Sequence, residues 1–154
     1  MTTEVSEQIT VAAPAERVYA AVSDVRRMAR WSPECFAVWV LGRRPDGLPR
    51  SFVGWNRRAG YIWFTTCQVA VAKPGSEFAF DVTSFGQPIS RWGYRLTPEG
   101  EGTTVTEYWQ DRRGRAGMVL GRIFTGKVAH DRPAANRGNM AKTLARLKKE
   151  LEAG

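Results

Sequence analysis

Histidine and cysteine are the scarcest reactive residues in this chain of 154: there is one histidine, His130, and two cysteines, Cys35 and Cys67. No CxxC pair and no His/Cys cluster occurs, which argues against a zinc site of the usual thiolate–imidazole kind. Disulfides belong to oxidising compartments, and free cysteine is among the most buried residue types, so both are expected as buried free thiols. No apolar run approaches the roughly 20 residues of a membrane span. The opening MTTEVSEQIT carries acids and no apolar stretch of a secretory leader, so the expectation is a cytoplasmic protein. Glycine-rich phosphate loops, a Ser-His-Asp arrangement and metal-spaced carboxylate pairs are also missing. No metal or other cofactor is expected.

Acids are scarce only at one end. Residues 1–111 hold 12 Lys/Arg and 12 Asp/Glu, net zero, while residues 112–154 hold 11 Lys/Arg and 3 Asp/Glu, so the whole net charge of +8 lies in the last 43 positions. That placement bears on FVGWNRRAGYIWF, from Phe52 to Phe64, which mixes five aromatics with two arginines. A nucleic-acid surface needs exposed aromatics beside a local positive field, and Arg57 and Arg58 sit in the neutral part. RAG is read instead as a hairpin turn between two strands of a pocket wall. No specific nucleic-acid partner is expected. A weak, salt-dependent contact through the basic C-terminal region is the least favoured reading.

The length suits one domain, 1–154, and can bury roughly 70% of its unfolded surface without covalent staples. Val5, Ile9 and Val11 mark a first strand. Pro14 then opens a helical segment in which Val18, Ala21, Val22 and Val25 recur at helical spacing. Asp24 is expected to divide it into two short helices and to cap the second. Ser32 before Pro33 ends it. Six strand-like segments follow, separated by Gly/Pro turns, as in an antiparallel meander. The last segment is helical: Met140, Leu144, Leu147 and Leu151 form one apolar stripe. Extended backward, that stripe meets Arg137, Pro133, His130 and Ile123. Pro133 either starts this helix or kinks a longer one beginning near Met118.

The order is strand, two short helices, six strands, long helix: an α+β arrangement in which the long helix covers the apolar face of a curved sheet. Space left between them is a ligand cavity lined by alternate strand positions. Alternation turns Trp92, Tyr94 and Leu96 one way and Arg91 and Arg95 the other. Phe78, Phe80 and Val82 point together, as do Phe52, Gly54 and Asn56. On the apolar strand from Tyr61, the inward set is taken as Trp63, Thr65, Cys67 and Val69. In the last strand Val105, Glu107 and Trp109 share a face opposite Thr106, Tyr108 and Gln110.

The segments ITVAAPAERVYAAVSD, WSPE, GWNRRAGYIWFTTCQV, EFAFDV, WGYRLTPEGEGTTVTEYW and MAKTLARLKKE resemble the START-like helix-grip superfamily (SRPBCC), in its bacterial polyketide cyclase/dehydrase and lipid-transport group. The resemblance covers nearly the whole chain. It implies a helix-grip fold, with about seven antiparallel strands around a long C-terminal helix, and a cavity rather than a particular chemistry. Members bind lipids, sterols or polyketides, or cyclise and aromatise poly-β-ketones.

The expected partner is therefore a small hydrophobic ligand, held by Phe52, Asn56, Trp63, Phe78, Phe80, Trp92, Tyr94 and Trp109 of the sheet and by Phe124, Asn136 and Met140 of the C-terminal segment. The favoured function is binding or transport of that ligand. The alternative is a metal-independent aromatase/cyclase, which needs a proton-transferring group inside. Glu107, if inward, is a buried carboxylate fit for enolisation; His130 is the candidate general acid or base of imidazole type. Their plainer roles are an ion-paired glutamate and a helix residue at the cavity mouth. The loop Arg112–Gly117 is read as a lid whose arginines face an acidic head group or an anionic membrane; its plainer role is a solvated basic loop. Monomer and homodimer are both open.

Overall fold

The computed structural model describes residues 4–113 and 132–153. His130, Phe124, Ile123 and most of the proposed lid lie outside the described residues. The described chain runs β1 (Glu4–Val11), α1 (Ala15–Ser23), a 3-10 turn (Val25–Arg27), α2 (Met28–Trp31), β2 (Cys35–Arg43), β3 (Pro49–Arg58), β4 (Tyr61–Lys73), β5 (Glu77–Ser84), β6 (Gln87–Glu99), β7 (Gly102–Asp111) and α3 (Arg132–Ala153). The seven strands form one antiparallel sheet in the order β1-β7-β6-β5-β4-β3-β2. Strands β2 to β7 are thus a meander in which each strand pairs with the next, and β1 joins beside β7.

Pro14, in extended conformation, precedes α1, where its missing N–H costs nothing. Val18, Ala21 and Val22 bury the inner face of α1. The break at Asp24 is real, but Asp24 makes no side-chain cap. Its own backbone N–H instead donates to the Ala21 carbonyl at 3.3 Å and closes α1. The next segment is a single 3-10 turn leading straight into α2, which leaves no free helix start for the carboxylate to cap. After α2, the Ser32 hydroxyl accepts from the backbone N–H groups of Glu34 (3.3 Å) and Cys35 (3.0 Å), turning the chain into β2.

On α3, Met140, Leu144, Leu147 and Leu151 are buried as the stripe requires. The stripe continues backward through buried Asn136, four residues before Met140, and not through Arg137. The Arg137 guanidinium is exposed and reaches Glu7 at 3.5 Å, because a charged head stays in water when no buried partner exists. Pro133 is likewise exposed. Arg17 donates to the Leu151 carbonyl at 2.8 Å, satisfying one of the carbonyls that the end of a helix leaves open. Glu150 binds both Arg27 (3.1 Å) and Arg30 (2.8 Å), fastening α3 to the short helical segment.

The main core gathers α1, the stripe of α3 and the inward residues of β3 to β7. The outer face of the sheet is not uniformly polar. Tyr108 is 1% exposed there. Its ring lies under the Arg95 guanidinium, 3.9 Å from the centroid, and its hydroxyl donates to Glu77 at 2.6 Å. The ring crosses Gly93, where a Cβ would come under 3.0 Å from three Tyr108 atoms.

Candidate functional site

Between α3 and the inner face of β3 to β7 lies a cavity of about 340 Å³. Period-two alternation delivers its walls. Phe52 and Asn56 come from β3, Trp63 from β4, Phe80 from β5, Trp92 and Tyr94 from β6, and Glu107 and Trp109 from β7; Asn136 and Met140 close it from α3. Ten of the expected lining or catalytic residues are thus brought to one space.

Phe78 is not among them. It shares a face with Phe80 but is 0% exposed and lies in the core, with its ring edge-on to Tyr19 at 6.3 Å. Two residues along β5 is enough to carry a side chain from the cavity to the floor beneath α1. On β4, Trp63, Thr65 and Cys67 line the cavity as expected, and Val69 packs against the core. Ile62 and Phe64, expected to face away, also border the cavity. Of the basic loop, Arg112 is exposed and donates to Gln110 at 3.0 Å. Arg113 folds back onto Asp111 at 2.8 Å, and its largely buried side chain lines the cavity.

Glu107 is the central polar group. It is 4% exposed, and the directly registered neighbour on β6, Tyr94, donates its hydroxyl to Oε2 at 3.1 Å. Among the described residues, Oε1 has no hydrogen-bond partner and no basic side chain pairs with this carboxyl. Burial pushes Glu107 from 4.5 up to about 8, against the smaller opposing effect of the Tyr94 hydrogen bond. It is therefore largely protonated at neutral pH. Oε2 accepts from Tyr94, leaving Oε1 as the natural site of the proton. Burial and the adjoining carboxyl also raise Tyr94 well above the ordinary phenol value, so Tyr94 stays a neutral donor.

A second polar group sits where α3 approaches the turn before β2. Glu34 Oε2 accepts from Asn139 Nδ2 at 2.7 Å and pairs with Arg58 at 3.5 Å. Sequence reasoning did not single out Glu34 or Asn139. Asn139 lies three residues after Asn136, on the same side of the helix, and that spacing was the available signal. Cys35 and Cys67 are free, buried and part of the cavity lining. Burial raises their thiols to about 11 and about 12 respectively. Among the described residues, no group of three or more His, Cys, Asp or Glu side chains is placed to hold a metal ion. None of their helices is long and apolar enough to cross a membrane.

A seven-stranded antiparallel sheet closed over a long C-terminal helix, with short helices after its first strand, is the START-like helix-grip architecture. The family model for polyketide cyclase / dehydrase and lipid transport matches residues 2–152, and the chain belongs to that family. The solved structures it resembles include the Zhui aromatase/cyclase from a Streptomyces species, at 21% identity and a TM-score of 0.74, covering 99% of this chain and 94% of that one. The polyketide-cyclase-like protein Cgl2372 from Corynebacterium glutamicum is 28% identical with a TM-score of 0.62, over 99% and 93% of the two chains. A START superfamily protein from Mycobacterium smegmatis is 19% identical with a TM-score of 0.63, over 90% and 97%. No curated protein matches the sequence.

Proposed function

We propose that the protein binds and carries a small hydrophobic ligand, lipid-like or polyketide-like, in the cavity between sheet and α3. One observation carries this reading: a space of about 340 Å³ whose walls are mainly apolar, with Phe, Trp and Tyr rings among them, and into which polar groups converge. Ligand sites typically occupy about 300–1,000 Å³ and have this composition. Trp63, Phe80, Trp92 and Trp109 supply the apolar contact. Protonated Glu107 and the Asn56 amide supply hydrogen bonds for a carbonyl or hydroxyl on the ligand. Native mass spectrometry of the purified protein, with titration by an apolar fluorescent probe, tests it. Co-purified ligand or saturable probe uptake is expected; a cavity that takes up neither overturns it.

Glu107 favours a second reading, an aromatase/cyclase. A carboxyl titrating at about 8 inside an apolar space is poised to exchange protons with a β-ketone near neutral pH. Glu107→Gln separates the two. For a carrier, probe affinity changes by about one hydrogen bond, roughly 0.5–1.5 kcal/mol. For a cyclase, turnover of a poly-β-ketone model falls by roughly 10²–10⁴-fold.

A further inference from the structure

We infer that the tips of the β3–β4 and β5–β6 hairpins, beside the cavity, form a docking surface for an anionic lipid bilayer. Tyr61, Ile62, Phe64 and Phe85 are 47%, 67%, 42% and 64% exposed. Scattered exposed hydrophobes are ordinary, but a contiguous apolar patch marks an interaction site. Phe64 and Phe85 belong to one. Phe64 and Phe85 lie 6.0 Å apart, and the row of rings continues through Trp55 (5.5 Å from Phe64) to Trp39 (5.1 Å from Trp55), itself 59% exposed.

The patch is continuous with the ligand site, because Ile62, Phe64 and Phe85 also line the cavity. The backbone adds a separate observation. Two non-glycine residues in the described chain have positive φ, Ala59 at 51° and Phe85 at 50°, and each occupies one of these two tips beside a glycine. A bulky side chain rarely adopts that conformation. At Phe85 an unfavourable backbone therefore coincides with an aromatic ring held largely in water.

Charge selects the occupant. Arg57, at the β3–β4 tip, is exposed and stacks its guanidinium 5.5 Å from the Phe36 ring centroid. The nearby acids are already engaged, Glu34 by Arg58 and Asn139, and Asp111 by Arg113. A two-fold contact between copies through these tips would bring the exposed Arg57 close to its own image, Arg58 being paired with Glu34. An anionic bilayer offers phosphates to the arginines and apolar depth to the rings, the pairing that favours aromatic and arginine side chains at lipid interfaces. Docked in this way, the protein exchanges a hydrophobic ligand with the lipid without passing it through water. The contact is separate from the one expected of the Arg112–Gly117 loop, and it does not depend on which ligand the cavity holds.

The test uses the full chain with vesicles of phosphatidylcholine and of phosphatidylcholine mixed with phosphatidylglycerol, read by sedimentation. Binding to the mixed vesicles is expected, weaker on phosphatidylcholine alone and weakened by salt. The double variant Arg57→Glu/Tyr61→Asp touches neither the cavity lining nor the core. It should lose about tenfold or more in vesicle affinity while keeping the thermal melt and the probe affinity of the free protein. Phe85→Asp should weaken vesicle binding to a similar degree. The proposal is overturned if the wild type binds neither vesicle, or if these variants bind as well as the wild type. It is equally overturned if light scattering shows a wild-type dimer that the double variant dissociates, since the patch would then be an interface between copies.

Discussion

Tyr94 and Glu107 face each other across adjacent strands in direct register, and the phenol donates to the carboxyl at 3.1 Å with both groups buried. A neutral donor thus holds one carboxyl oxygen, and the other is left to carry the proton.

Stability should fall as pH rises because of this pair. The folded-state value of Glu107, about 8, stands above its ordinary value of 4.5. Between those values the folded protein keeps a proton that the unfolded chain releases, so stability decreases with pH across that window and levels off above about 8. The stabilisation is fully present below pH 4.5, where both states are protonated. Urea denaturation from pH 5 to 8.5 should show a decline on the order of a few kcal/mol. Glu107→Gln should flatten it and be the more stable protein at pH 8.5; equal slopes in the two proteins would contradict the assignment.

Trp92→Ala should destabilise by about 2–4 kcal/mol, near the lower end for large aromatic deletions. The indole packs against both core clusters but has one side open to the cavity. Probe affinity should change with it. Denaturant midpoints and probe titrations on the same samples provide the check; a variant unchanged in both would place the indole elsewhere.

Gly93→Ala should cost about 1–3 kcal/mol, the usual range for overpacking, because the new methyl meets the Tyr108 ring. That ring cannot swing aside without giving up Glu77 and Arg95. In a double-mutant cycle with Tyr108→Ala, the two losses should be strongly non-additive. Additive losses would mean that the crowding comes from another neighbour.

Both thiols should react slowly. Cys35 and Cys67 are buried, with values raised to about 11 and about 12, and the thiolate is the reactive form. A disulfide-exchange reagent should label them only as the protein opens. A bound apolar probe should slow labelling further, since both cysteines line the cavity. Rapid labelling of the native protein, untouched by the probe, would count against this lining.

The meander, the long helix and the inward set Trp92, Tyr94, Glu107 and Trp109 were legible because strand alternation reports which side of a sheet a residue faces. It does not report how far along the groove the residue lies, and so Phe78 shares the alternation of Phe80 yet packs under α1 against Tyr19. Helical spacing gave the stripe of α3, but near its start three- and four-residue steps diverge, and Asn136 rather than Arg137 is buried. The Glu34–Asn139 bond joins residues 105 positions apart, a separation on which local pattern is silent. Alternation sets Tyr108 on the face opposite Glu107. Its burial there depends on a missing side chain, Gly93, on the neighbouring strand.

The position of β1 beside β7 sets an order of events during synthesis. Residues 4–11 leave the ribosome long before their partners, residues 103–110. Strands β2 to β7 meet their neighbours as each hairpin appears, so these local pairings form early. Strand β1 waits, unpaired, until nearly the whole sheet exists, and the Ala12 amide then donates to Glu152 of α3 at 2.8 Å. Closing the sheet and seating that helix thus become one late step. In pulsed hydrogen exchange during refolding, amides of β3 to β6 should gain protection before those of β1, and simultaneous protection would show that the whole sheet closes at once.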